Sequence, residues 1–261
     1  MRKVLKNITL IILVGIIIYC LFNIVSTLND RAQAKNQYAS LVDKYVKTED
    51  NVESTNNDKS DSGNNKDDLI SLDIQGLEDV NKDFVAWIYF DDGKLNYPIV
   101  QEQNDELNKY LDTAFEGNHN SHGCLFISNN SDVDASNLFV YGHNMKDGTM
   151  MGSLKYLYND PSGFKDKNFC LYFKDGSVKK YTVFALYVVD KDSSMYTFRS
   201  NEYMEYVNSA IQKGGLNNKD SGDVQDAFKN NSQIVTLSTC YGSAGTRYRL
   251  LVHGVETEKL K

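Results

Sequence analysis

Residues 234–254, IVTLSTCYGSAGTRYRLLVHG, set a cysteine and an arginine where they could act together. Val235 and Leu237 alternate with Thr236, Ser238 and Cys240. Leu250 and Val252 alternate with Arg249, Leu251 and His253, so both flanks read as half-buried strands. Residues 241–248 hold two glycines and no apolar run, and read as the connecting loop. Such a hairpin brings the Arg249 guanidinium back beside the Cys240 sulfur. A thiol at a strand end next to a permanent cation is set up to react, whereas an isolated cysteine in an apolar strand is more often inert core. Cysteine, histidine and a cation together suit acyl transfer. The thiolate attacks a carbonyl, the imidazole carries the proton, and the cation steadies the oxyanion.

Four histidines could partner the thiol. His143 ends an apolar run in FVYGHNM, where Gly142 permits a sharp turn, and a strand end is where a scaffold presents catalytic side chains. His119 and His122 lie in NHNSHG; with no third ligand at metal-binding spacing, a solvated loop is the better reading. His253 shares a strand face with Arg249 and fills a barrel position. Arg247 rivals Arg249, because alternation points both the same way.

The elements that must position these residues are mostly strands. Apolar or alternating runs at 84–90, 95–100, 123–128, 137–141, 168–173 and 178–189 join the two strands above to make about eight, with DDG and KDGS as turns. Short helices are expected at 69–81 (broken at Gly76), 105–111, 150–158 and 224–229. Residues 201–213 place Tyr203, Tyr206, Val207 and Ile211 on one face and read as an amphipathic helix ending at Gly214-Gly215. The fold class is mainly β, a closed or nearly closed barrel with helices inserted.

Upstream, residues 8–25 are uncharged and apolar, and as a helix would span roughly 27 Å, close to a bilayer core. Arg2, Lys3 and Lys6 precede them, so the positive-inside rule places the N-terminus in the cytoplasm and the body outside. The run's length, and the distance to the small-residue triplet at 32–34, favour an uncleaved anchor over a signal peptide. Tyr38, Leu41, Val42 and Tyr45 extend the helical spacing, and residues 49–68 read as a polar spacer holding the domain off the membrane. The expected organisation is a basic flank (1–7), an anchor (8–25), a helical stalk and linker (26–68) and a catalytic domain (69–261). The net charge is −7, and removing the three basic residues of the acid-free first 25 leaves −10 on the body, which disfavours nucleic acid as a partner. The four cysteines are far apart and read as unpaired.

TLSTC at 236–240, with Arg249 nine residues later leading into LLVHG, resembles the signature of the sortase family. The serine within that block, YGHNM at 141–145 and LNYPIVQ at 95–101 are similar to class B sortases, and the likeness runs from about Asp79 to Val255. The resemblance implies an eight-stranded sortase barrel with N-terminal helices and a helix inserted before the cysteine-bearing strand. It implies Cys240 as nucleophile, His143 as general acid/base and Arg249 as oxyanion or substrate stabiliser. Arg249 is preferred to Arg247 because sortases place this arginine five residues before the small residue ending the strand, here Gly254. Ser238 would line the substrate groove, and Tyr196, in the wall at 193–199, would contact the substrate. No metal or cofactor is implied. The implied substrate is a secreted protein with a C-terminal sorting motif; NPQTN-like and PPxTG-like motifs both occur within the class, and the resemblance does not choose between them. The implied acceptor is a cell-wall precursor amine or a pilin lysine. Two other readings are an NlpC/P60-like cell-wall peptidase, whose cysteine usually precedes its histidine, and a surface binding module, which leaves the three residues without a shared purpose.

Overall fold

Side-chain alternation sorts the strands into a barrel with two apolar layers, one inside it and one against its outer wall. The computed structural model describes residues 2–47, 69–103, 106–160, 167–243 and 245–261. In chain order the elements are α1 (Arg2–Tyr45), β1 (Val46–Lys47), β2 (Ser71–Leu72), α2 (Ile74–Val80), β3 (Phe84–Phe90), β4 (Asn96–Gln101), β5 (Leu125–Ile127), β6 (Asn137–Tyr141), α3 (Leu154–Asn159), β7 (Asn168–Phe173), β8 (Val178–Asp190), α4 (Tyr203–Gly214), α5 (Gly222–Lys229), β9 (Ile234–Cys240) and β10 (Tyr248–Lys259). Strands β3 to β10 close a barrel in the order β10-β8-β7-β3-β4-β5-β6-β9. Neighbours are antiparallel except β4–β5 and β6–β9, which are parallel.

Val235, Leu237, Leu250 and Val252 point into the barrel with Ile88, Ile99 and Val140. Ile234, Leu251 and Val255 point outward, where α4 and α5 cover them with Tyr206, Val207, Val224 and Phe228. The alternation read from residues 234–254 is therefore the division between the two layers. The expected helix at 105–111 is a single 3₁₀ turn at Lys109–Leu111, with Asp105 outside the described residues. Gly76 does not break a helix. It lies in the first turn of α2, where its N–H donates to the capping Asp73 carboxylate at 2.9 Å.

Helix α1 runs unbroken from an exposed apolar segment to turns that pack against the barrel. Its residues from Leu5 through Leu28 are all exposed, and the helix is long and apolar enough to cross a membrane. Ala34, Tyr38, Leu41 and Tyr45, at i, i+4, i+7 and i+11, are buried, and the last three join the larger apolar cluster with Ile70 and Leu77. The packed core thus begins well before Leu69. The spacer expected at 49–68 lies outside the described residues, but its flanks meet, since Val46 pairs with Leu72 and Lys47 with Ser71.

His253 is not inside the barrel. It is fully buried on the outer face, stacked on Tyr187 (5.1 Å) and edge-on to Tyr206 (5.9 Å). Thr236 Oγ1 donates to Asn137 Oδ1 (2.8 Å), so at 2.9 Å His253 Nδ1 must be the donor to Thr236. Burial pushes the His253 pKa down to about 3. Unfolded chains protonate such a ring near pH 6.5, so between about pH 3 and 6.5 the unfolded state binds one proton more. Stability should therefore fall as pH drops through that window, by up to about 1.4 kcal/mol per unit from this residue. His253→Phe should flatten the slope of melting temperature against pH below 6.5; a slope equal to that of the native chain would contradict this account.

Candidate active site

The parallel pairing of β6 with β9 runs in register from Asn137↔Ile234 to Tyr141↔Ser238. Two residues past the last pair, at the same end of that ladder, stand His143, just beyond β6, and Cys240, the last residue of β9. Side-chain bonds lock the ends together. Thr239 Oγ1 donates to the Gly142 carbonyl (2.7 Å), and Asn144 Nδ2 donates to the Cys240 carbonyl (2.7 Å). Gly142 lies close to the core: a Cβ there would stand 2.3 Å from Leu125 Cδ2, so that side chain would have to move.

The His143 ring is half-buried, with Nε2 2.7 Å from the Leu111 carbonyl oxygen. A carbonyl only accepts, so Nε2 carries hydrogen and Nδ1 is the nitrogen left to exchange a proton in the neutral ring. Cys240 is half-buried, and its thiol, like those of Cys20 and Cys124, is in no disulfide. Burial pushes the Cys124 thiol up to about 12, which marks it as inert core.

Across the antiparallel β9–β10 ladder Arg249 faces Cys240 directly. Its Nη1 donates to the carbonyls of Thr246 (2.7 Å) and Tyr248 (3.0 Å), which fixes the guanidinium at the loop. Arg247 points elsewhere. It binds Asp190 through Nε and reaches Asp192 at 3.8 Å, and Arg247 holds the Asp190 carboxyl below its ordinary range. Among the described residues no carboxylate lies within ion-pair reach of Arg249. The two arginines that alternation leaves equivalent are thus separated by the acids on and after β8.

Ser238 and Tyr196 are brought together, with hydroxyls 2.7 Å apart. Burial raises the Tyr196 phenol, with its bond to Ser238 and the Arg249 charge opposing that shift, so this hydroxyl lies within the field of the Cys240–Arg249 corner. Tyr196 stacks on Phe139 (5.7 Å), which stacks on Tyr141 (6.3 Å). These rings line an open cleft of about 450 Å³, with polar sides from Ser128, Ser131 and Asn137. The histidines of NHNSHG diverge. His119 is exposed, but His122 is buried under α1, its Nε2 3.8 Å from Asp147, rather than solvated. Among the described residues no group of three or more His, Cys, Asp or Glu could hold a metal ion.

Two contributors carried no usable sequence signal. Leu111 acts through its backbone carbonyl, which any residue supplies. Asn144 follows His143 directly, but its amide matters only because β6 and β9 are neighbours. Asn144→Ala should lower turnover about three- to tenfold, the worth of one well-placed hydrogen bond, with little change in melting temperature; an unchanged rate would remove Asn144 from the site.

The family model described as the sortase domain matches residues 88–257. A Staphylococcus aureus protein named Sortase B is 28% identical over 248 residues, covering 92% of this chain and 91% of its own. A Listeria monocytogenes Sortase B is 28% identical over 179 residues, covering 64% of this chain and 67% of its own. A solved Staphylococcus aureus sortase B–substrate complex superimposes with a TM-score of 0.59 at 25% identity, over 72% of this chain and 85% of that one. The chain belongs to the sortase family of cysteine transpeptidases, and its similarity is to class B members.

Proposed function

We propose that this sortase-family chain is a single-pass membrane enzyme that cleaves a C-terminal sorting motif of secreted proteins and transfers the acyl end to an amine. The observation that carries the reading is the convergence of Cys240, His143 and Arg249 at one end of the β6–β9–β10 ladders. The Cys240 thiolate attacks the scissile carbonyl, and the oxyanion forms beside Arg249. The tetrahedral intermediate collapses with loss of the amine, which takes its proton from Nδ1 of the His143 imidazolium. That leaves a thioacyl enzyme and a neutral ring. The incoming amine attacks the thioester, His143 accepts its proton, and the thiolate departs.

The cleft beside Tyr196 and Ser238 fits an extended peptide, with aromatic faces for its apolar parts and hydroxyls and Asn137 for its backbone. The proposed acceptor is a cell-wall precursor amine or a pilin lysine. Helix α1 supports the anchor; the basic residues at its start support a cytoplasmic N-terminus and an extracellular catalytic unit. In that organisation residues 1–7 form the basic flank, 8–25 the anchor, and 69–261 the bulk of the catalytic unit, completed by the docked end of the stalk.

Fluorogenic peptides of NPQTN and PPxTG type, offered with an amine nucleophile, test the assignment. Cys240→Ala should abolish cleavage and transfer while leaving the melt nearly unchanged, and retained turnover would sink the assignment. Arg249→Ala should cost roughly a hundredfold or more in kcat, as for loss of an oxyanion donor. Arg247→Ala should cost little, because its partners are exposed surface acids. The reverse ranking would transfer the role to Arg247.

A further inference from the structure

Tyr38 of α1 is buried against the two backbone segments that hold His143. Its hydroxyl donates to the Gly123 carbonyl. Gly123 has φ +58°, and a Cβ there would stand 2.3 Å from the Tyr110 oxygen and 2.8 Å from the Leu111 oxygen. The residue that Tyr38 holds is therefore seated directly against the carbonyl that receives His143 Nε2–H. Cys124 N–H adds a bond to the Tyr110 carbonyl at 2.9 Å, closing this segment on itself.

The ring of Tyr38 works on the other side. It meets Tyr97 edge-on, with centroids 5.4 Å apart and planes at 78°. The Tyr97 hydroxyl accepts from Met150 N–H (3.0 Å), and the next residue, Met151, donates its N–H to the His143 carbonyl (3.0 Å). One side chain of the anchor helix thus bears on the ring's hydrogen-bond acceptor and on the loop that follows its backbone. Gln37, one residue earlier, fastens the same segment through Asn120, whose Nδ2 donates to Gln37 Oε1 at 2.8 Å.

We propose that Tyr38 is a positioning residue for His143, so that the docked end of α1 is part of the catalytic apparatus. The proposal rests on the reading of His143 as proton carrier. It predicts that loosening Tyr38 lets Leu111 drift, and the ring then loses its preference for the Nε2–H tautomer.

The test uses the full chain in detergent micelles, with kcat and KM measured on the peptides above. Nitrogen-15 spectra of histidine-labelled protein are recorded in parallel, with the His143 signals assigned by their loss in His143→Asn. Tyr38→Phe keeps the ring and removes the hydroxyl; kcat should fall about three- to tenfold at unchanged KM, and the His143 nitrogens should move from the Nε2–H pattern toward a tautomer mixture. Tyr38→Leu, which also loses the contact with Tyr97, should fall further. If Tyr38→Leu does not fold, Tyr38→Phe decides. Native kcat in the folded variants, or a lower kcat with native His143 signals, overturns the proposal. Should His143→Asn itself turn over normally, the proton-carrier reading falls and this one with it; an inactive His143→Asn beside fully active Tyr38 variants overturns this proposal alone.

Discussion

The in-register parallel contact between β6 and β9 is the constraint on which the site depends. Strand side chains alternate faces, so a slip of one residue would turn the residue opposite Cys240 from His143 to a neighbour facing the barrel interior. Parallel strands cannot be joined by a tight turn, and here α3, β7, β8, α4 and α5 all intervene. No local turn chemistry sets the register. It is set by the five-pair ladder and held at its catalytic end by Thr239 on the Gly142 carbonyl and Asn144 on the Cys240 carbonyl. The pairing and the two bonds at its end together hold the segments that carry the proposed acid/base and nucleophile.

The outer face of β9 shows how the thiol comes to be accessible. Thr236 is fully buried, Ser238 nearly so, and Cys240 half-buried, so the strand emerges from under its cover residue by residue toward the catalytic end. The cover is the layer built by α4 and the Ser194–Tyr196 turn, with His253 and Tyr206 packed beneath. A neutral, buried His253 bonded to Thr236 lets a polar face lie under an apolar helix without a buried charge. The inserted helix therefore decides where the groove begins, by deciding where β9 meets solvent.

Much of this was legible in the residues. Apolar runs located β3, β6 and β7, and period-two alternation β9, almost to the residue, while period-3.6 spacing found α4 and the docked face of α1. The Cys–Arg pairing followed from the hairpin alone. Other features depend on which strands become neighbours. Alternation cannot separate Arg247 from Arg249; the separation comes from Asp190 and Asp192, which a different strand delivers. NHNSHG is polar enough to read as solvated, yet α1 covers His122, and a local composition signal cannot report cover supplied from far along the chain. The Leu111 carbonyl is a backbone atom and has no signature at all.

Helix α1 changes what the polar segment after it can do. A flexible tether sets distance only if it lies between the anchor and the body it carries. Here the body is already engaged at Ala34, Tyr38, Leu41 and Tyr45, upstream of residues 49–68, and Val46 pairs with Leu72 on the far side of that segment. On the proposed topology, the spacing from bilayer to barrel is set by the helix from the end of the apolar run to Ala34, nine residues or about 14 Å at 1.5 Å each. A continuous helix transmits tilt as well as height. The orientation of the cleft toward the membrane is then a property of the fold, fixed by the same side chains that pack α1 against the loops around His143.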